Sequence, residues 1–240
     1  MLNIAHRGFR SRYPENTMLA FQKAVEAGCD GIEFDVHLSK DGEAVIIHDE
    51  TLERTTDGCG FVGDKTYTEL QALNAVKPHP ETAAFEPIPS LRSYFEYIVQ
   101  HPAIISNIEL KTGVFVYEGI EETVYRLMRE YHVTDRCIIS SFNHESVLRM
   151  KKINPAVTCG LLVDSWQIHP ETYVKGLGIE CYHPPAYCLT AELIAALHQA
   201  SIKVNAWFGA VQCDYRKYIE MGVDSLITDY PDKVRLLLEQ

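Results

Sequence analysis

The sequence predicts an α/β barrel, and three observations predict it. Eight short apolar segments are each followed by a stretch with helical periodicity, and the alternation runs almost the whole chain. The length, 240 residues, is that of a single barrel of this kind. Polar side chains collect at the ends of the strand segments, where a barrel carries its chemistry. A doubly wound open sheet is the competing architecture. It would carry fewer strands and a glycine-rich first turn, whereas the first turn here reads His6-Arg7-Gly8.

Leu2 to Ala5 is the first strand. Pro14-Glu15-Asn16-Thr17 then opens a helix carrying Leu19, Ala20, Phe21, Ala24 and Val25, which closes at Gly28. The second strand and its hairpin lie in residues 30 to 49, DGIEFDVHLSKDGEAVIIHD. Glu33 and Asp35 are two apart in an apolar run, so they project from one face of an extended strand. Two buried carboxylates repel each other and lose hydration unless a positive group compensates. A divalent cation that prefers oxygen ligands, Mg²⁺ or Ca²⁺, is the expected compensator. Lys40-Asp41-Gly42 is a hairpin signal. The connection is far too short for a parallel crossover, which needs about a dozen residues, so Ala44 to Ile47 is expected to return antiparallel. With Asp41-Gly42 as a two-residue turn, His48 falls opposite Asp35.

Residues 51 to 87 are turn-rich, with one short helix expected from Thr68 to Leu73. The segment is too long for an ordinary connection. It is read as a small lobe inserted after strand two, within one domain spanning 1 to 240. Pro89-Ser90 opens a helix from Leu91 to Gln100, and the chain then alternates. Strands are expected at Ile104 to Leu110, Cys137 to Phe142, Thr158 to Val163, Ile179 to His183, Lys203 to Phe208 and Ser225 to Thr228. The helices between and after them are Gly119 to Tyr131, His144 to Ile153, Pro170 to Gly176, Thr190 to Ala200, Asp214 to Met221 and Pro231 to Leu238.

Composition narrows the function. The net charge of −11 disfavours non-specific binding to nucleic acid or anionic lipid, so an anionic substrate must meet a locally positive site. No apolar run is long enough to span a membrane. The start, MLNIAHRG, lacks the basic segment and long apolar stretch of a signal peptide. Seven scattered cysteines without paired spacing point to reduced thiols and a cytoplasmic setting. At the strand ends lie His6 and Arg7, Glu109 and Lys111, Ser141 and Phe142, His183, Trp207 and Thr228-Asp229, with Glu33 and Asp35 inside strand two. Carboxylates that hold a metal, beside an arginine and a lysine, suit a phosphate-containing substrate.

These residues lie within AHRG, PENT, IEFDV, KDG, HD, RTTDGCG, IELK, SF and ITDYP, in that order from Ile4 to Pro231. The set resembles the glycerophosphodiester phosphodiesterase family. The resemblance implies a TIM barrel with a small lobe after strand two. It also implies metal-dependent hydrolysis of a small-molecule glycerophosphodiester to glycerol 3-phosphate and an alcohol. By the same resemblance His6 and His48 are the acid–base pair, and Glu33, Asp35 and Glu109 hold the metal, with Mn²⁺ a further candidate beside Mg²⁺ and Ca²⁺. Arg7 and Lys111 are expected on the phosphate, Trp207 against the glycerol carbons, and Asn16 as an accessory polar contact. The sequence departs from the family pattern at strand seven, where Trp207-Phe208-Gly209 replaces Trp-Thr-Val.

Other readings of the same residues stand beside these. Glu33 and Asp35 could partner buried arginines, Glu109 and Lys111 could form a plain ion pair, and Asp49 could be a turn residue. A phospholipase acting on lysophospholipid or related lipid phosphodiesters is the alternative enzyme. It would want apolar or basic residues on the rim, and the acidic charge and polar lobe argue mildly against it. A barrel that only binds glycerophosphate-like ligands is the third reading, and homo-oligomerisation is left open.

Overall fold

The expected barrel is present. The computed structural model describes residues 1–208 and 214–240. Its sheet runs β1(Leu2–His6), β9(Ser225–Thr228), β8(Lys203–Trp207), β7(Cys181–His183), β6(Thr158–Leu162), β5(Cys137–Ser141), β4(Ile105–Leu110), β2(Gly31–Leu38), and β1 pairs β2 to close the ring. All eight of these strands are parallel to their neighbours. The ninth, β3(Ala44–Ile46), pairs antiparallel with β2.

The alternation that predicts the strands also sorts their faces. In β2, Ile32, Phe34 and Val36 join the main apolar core, and Phe34 lies 4.3 Å from Tyr94 and 5.7 Å from Phe21, ring to ring. Those two rings come from α1(Met18–Glu26) and α3(Leu91–Ile98). Thr17 caps α1 by accepting from the Ala20 N–H, and Ser90 caps α3 by accepting from Ser93. The other face of β2 turns Glu33 and Asp35 into the barrel. There the filling is unusually polar: Ser225 Oγ donates to Asn205 Oδ1, and Asn205 Nδ2 donates to His183 Nε2 at 2.8 Å. His183 fits only because its neighbour on β6 is glycine. A Cβ on Gly160 would lie 2.3 Å from the imidazole.

Two details depart from expectation. The hairpin register is shifted by one: Leu38 pairs Ala44 and Val36 pairs Ile46, so Ile47 rather than His48 stands level with Asp35. The loop holds three residues, Lys40-Asp41-Gly42: Gly42 is left-handed at φ 81° but Asp41 is not, whereas a two-residue Asp-Gly turn needs both to be, so the chain takes the three-residue hairpin loop that ends in a left-handed glycine. The short helix of segment 51–87 is α2(Tyr67–Gln71), one residue earlier than expected and ended sooner. It is fixed by a capping box in which Thr66 and Glu69 bond each other's backbone N–H groups. Val45, Ile47, Leu52, Val62, Leu70, Ala75 and Ile88 form a separate apolar cluster that joins this segment to the outer side of β3. Gly209, the last residue of the departing strand-seven motif, lies outside the described residues.

The turn after β1 is the tightest point near the site. Gly8 has φ +80°, and a Cβ there would sit 2.8 Å from the Ala20 backbone. Gly8→Ala is therefore expected to cost about 2 kcal/mol or more in urea unfolding. A change under about 0.5 kcal/mol, the range of unconstrained surface positions, would show that this approach is not a constraint.

The free cysteines include buried Cys29, Cys137, Cys159, Cys181 and Cys188 and exposed Cys59. Among the described residues, no helix is long and apolar enough to cross a membrane.

Candidate active site

One edge of β2 organises the site. β4 occupies the other edge, with Asp35 level with Glu109. On the organising edge β1 pairs from Gly31 to Glu33 and stops at His6, while β3 takes over at Val36. The break between β1 and β3 falls beside Glu33 and Asp35. His6 reaches it from the end of one strand, and His48 from just beyond the end of the other. The one-residue shift of the hairpin therefore does not remove His48 from the site. It changes only the backbone position from which the ring approaches.

Glu33, Asp35 and Glu109 each offer a carboxylate oxygen, and these oxygens all lie within 4.8 Å of one another. All three side chains are buried. Burial, and then the nearby charges of Asp35 and Glu109, push the Glu33 carboxyl well above its ordinary range. Glu109 is likewise raised by burial, with Asp35 adding to it. Burial acts the same way on Asp35, but His48, Arg7, Lys111 and the Asn16 amide outweigh it, and its carboxyl is lowered. Asp35 Oδ1 is buried without a hydrogen bond, as is Asn16 Oδ1. Three convergent hard oxygen donors, one of them orphaned, fit a divalent cation such as Mg²⁺, Ca²⁺ or Mn²⁺.

Four permanent cations surround the cluster. The Arg7 backbone N–H donates to Glu33 at 3.1 Å, a contact permitted by its left-handed φ of 55°. Its guanidinium donates to Glu15 at 2.8 Å and lies 3.5 Å from Asp35. Lys111 Nζ donates to Glu109 at 3.0 Å and lies 3.7 Å from Asp35 Oδ1. Asn16 Nδ2 donates to Asp35 Oδ2 at 2.8 Å, which places this residue behind a carboxylate. Arg10 and Arg54 complete the set through Glu15, Asp229 and Asp49. In all, six carboxylates (Glu15, Glu33, Asp35, Asp49, Glu109, Asp229) face four cations, an excess of two negative charges equal to the charge of one divalent ion.

Each imidazole has its own carboxylate. His6 Nδ1 lies 2.6 Å from Asp229 Oδ1, and His48 Nδ1 lies 2.6 Å from Asp49 Oδ1. Pairing Nδ1–H with a carboxylate fixes the tautomer and leaves Nε2 for other partners. For His48, Lys111 Nζ is already 3.4 Å from Nε2, consistent with that tautomer. His6 Nε2 is 4.0 Å from Glu33. Burial lowers the His6 pKa first and Arg7 adds to it, against the raising effect of Asp229. His48 is also held by its backbone: its carbonyl accepts from the buried His37, whose other nitrogen meets the Tyr117 hydroxyl at 3.0 Å.

A cavity of about 160 Å³ opens above these groups. His6, Arg7, Glu33, His48, Asn107 and Glu109 form its polar side, and Phe142, Leu162, Trp207 and Ile227 its apolar side. Trp207 is pinned by its Nε1–H, which donates to the carbonyls of Val163 and His183. Its ring meets Phe142 edge-on at 6.4 Å.

Sequence reasoning gave no role to Glu15, Arg10, Arg54 or Asp229, and it read Asp49 as a turn residue. The signals were present. Glu15 and Arg54 sit inside PENT and RTTDGCG, and Asp229 follows a barrel strand at the end that carries chemistry.

Comparison with known proteins gives a consistent picture. Residues 6–233 match the model of the Glycerophosphoryl diester phosphodiesterase family. The chain is 42% identical over 233 residues to a glycerophosphodiester phosphodiesterase of Caldanaerobacter subterraneus, covering 96% of this chain and 95% of that one. It is 37% identical to one of Bacillus altitudinis, over 99% and 98% of the two chains. Among solved structures, an Oleispira antarctica phosphodiesterase in complex with its product sn-glycerol-3-phosphate superposes with a TM-score of 0.88 at 28% identity. That match covers 99% of this chain and 96% of the other.

Proposed function

This chain belongs to the glycerophosphoryl diester phosphodiesterase family, and from that premise we propose a divalent-cation-dependent reaction with His6 and His48 as its acid–base pair. Membership makes it a glycerophosphodiester phosphodiesterase. The products of the proposed reaction are glycerol 3-phosphate and an alcohol, glycerol 3-phosphate being the product held by the Oleispira relative. The observation that carries the reading is the convergence of three buried carboxylates and two carboxylate-paired imidazoles on one cavity.

Glu33, Asp35 and Glu109 are the residues that would hold the cation, with Asn16 orienting Asp35. A divalent ion bound there supplies Lewis-acid polarisation of a phosphoryl oxygen. The chain's own residues do the rest. Arg7 and Lys111 flank the carboxylates and match the charge of the non-bridging oxygens. His6, kept unprotonated near neutral pH by burial and Arg7, takes the proton of the attacking hydroxyl or water. His48, once protonated at Nε2 as well as Nδ1, gives the Nε2 proton to the leaving alcohol and returns to its neutral Nδ1–H form. Whenever either ring is cationic, its aspartate stabilises the charge. Trp207 and Phe142 wall off one side of the cavity, where the glycerol carbons pack. Segment 51–87 acts as an inserted lobe that supplies Arg54 to the site.

Release of glycerol 3-phosphate from glycerophosphocholine, followed with a coupled glycerol 3-phosphate detector, tests the reading. Turnover should require added Mg²⁺, Ca²⁺ or Mn²⁺ and vanish in excess chelator. Unchanged turnover in chelator would remove the cation from the reaction.

A second reading is favoured by one observation. Large apolar side chains stand exposed in the connections after successive barrel strands: Val114, Phe115 and Val116 after β4, Phe142 after β5, and Trp166 and Ile168 after β6. Apolar groups gathered on a functional rim suit an apolar ligand. A lysophospholipid would place its acyl chain on them while its diester enters the same cavity. On this reading Ile168→Asp lowers the rate on lysophosphatidylcholine alone. No turnover of that lipid by the parent would confine the enzyme to small diesters, and equal rates for variant and parent would take the acyl chain off this rim.

A further inference from the structure

We propose that Glu15 is a positioning residue that sets both imidazoles at once, through one arginine for each. The proposal rests on the reading of His6 and His48 as the acid–base pair.

Glu15 is buried and lies behind His48, beside Asn16, Ile46 and Thr55, so it acts through other groups rather than on a substrate. Arg54 is the first link. Its NH1 and NH2 donate to the two oxygens of Glu15 at 2.9 and 2.8 Å, and its Nε and NH2 donate to Asp49 at 2.6 and 3.0 Å. Asp49 in turn holds His48 Nδ1 at 2.6 Å. Arg10 is the second link. Its Nε lies 3.5 Å from Glu15, and its Nη1 lies 3.4 Å from His6 Nδ1 itself and 3.7 Å from Asp229, which holds that same nitrogen at 2.6 Å. A third guanidinium, that of Arg7, donates to Glu15 at 2.8 Å and so turns part of its charge away from Asp35.

The physical case is one of shared constraint. A guanidinium is planar and binds a carboxylate in a fixed fork, so an arginine between two carboxylates transmits the position of one to the other. A buried carboxylate surrounded by three guanidiniums is held ionised, and the Glu15 carboxyl is lowered to about 2 by these partners despite its burial. Without it, three crowded cations repel one another and rotate toward Asp35, Asp49 and Asp229. Both aspartates that steer the imidazoles would then shift. The Arg54 link is the shorter and is two-pronged at both ends, whereas Arg10 reaches Glu15, Asp229 and the His6 ring by single contacts of 3.5, 3.7 and 3.4 Å. Loss of Glu15 should therefore disturb His48 more than His6.

A purely structural ion cluster would behave differently, and the full-length protein distinguishes the two. Glu15→Gln is compared with Arg54→Met and Arg10→Met. The readouts are kcat and KM on glycerophosphocholine with Mg²⁺, thermal melting, and the downfield Nδ1–H proton resonances of His6 and His48. Displacement of a reacting group by about 1 Å costs on the order of 10²-fold, so E15Q should lose roughly that factor in kcat. In R54M and R10M, which leave the Arg7–Glu15 contact in place, KM should stay within about threefold, as expected when substrate binding is preserved. Both Nδ1–H resonances should move in E15Q, the His48 signal further. R54M should move the His48 signal only, and R10M the His6 signal only. Those two partly exposed arginines keep the test intact should E15Q not fold.

An E15Q protein that melts early yet keeps both resonances and its kcat overturns the proposal, as does R54M with an unmoved His48 signal. Parent protein that cleaves no glycerophosphodiester overturns the reaction instead, while the resonances still decide whether Glu15 steers the rings.

Discussion

Alanine at His6 or His48 is expected to lower kcat by roughly 10²- to 10⁴-fold, the range in which a positioned proton donor or acceptor contributes. Either change should leave the fold intact, since both rings are only partly buried at the mouth of the barrel. The two variants are expected to differ with pH. His6 is lowered from its ordinary value of 6.5 by burial and by Arg7, so it remains a base below that value. The acidic limb of kcat/KM set by His6 should accordingly lie under pH 6.5 and disappear in His6→Ala. Steady-state rates on glycerophosphocholine from pH 5 to 9 measure this directly. Near-parental turnover in both single variants would end the acid–base assignment.

Stripping divalent cations should abolish turnover and also lower the melting temperature, because an ion held by the folded carboxylate cluster would have no such site on the open chain. At a concentration a hundred times its dissociation constant such a ligand stabilises by about 2.7 kcal/mol. The cation-free protein carries a built-in penalty that Glu33 exposes. Its carboxyl is raised well above 4.5 in the fold by burial and by Asp35 and Glu109. A raised folded value means stability that is fully present below the unfolded value and declines as pH climbs through the folded one. In chelator, therefore, the parent should melt lower at pH 8 than at pH 5, and Glu33→Gln should flatten that decline and melt above the parent at pH 8. With cation restored the order reverses, because the variant has lost a ligand. A cation-free E33Q protein that is less stable than the parent at pH 8 would show that carboxylate crowding does not limit the fold.

The barrel could be read from the chain because its cause is local. Eight apolar stretches such as IEFDV and NIEL, each followed by a helix with a polar cap, leave few ways to bury their faces. The i, i+2 spacing of Glu33 and Asp35, and of Glu109 and Lys111, likewise places them on shared strand faces. The hairpin register differs by one from the expected pairing because Asp41-Gly42 suits two loop lengths, and the shorter is set aside only by the backbone of Asp41, which does not take the positive φ that a two-residue turn requires. The partners of the imidazoles were not legible for a different reason. His6 and Asp229 are 223 positions apart, and Arg54 and Glu15 are 39 apart. Barrel closure brings them together, and no local spacing encodes that. Asp49, adjacent to His48, has the sequence character of a turn residue and becomes a partner only through the geometry of the strand end.

The match between the site's excess of two negative charges and one divalent ion bears on how a turnover ends. With one divalent ion held there the pocket would be neutral, and a diester would bring one negative charge to it, whereas a phosphate monoester carries between one and two at pH 7, its second ionisation lying near 6. Hydrolysis would thus add to the negative charge in the pocket. Above about pH 6 the second ionisation should help drive the monoester out and weaken its competition with incoming diester.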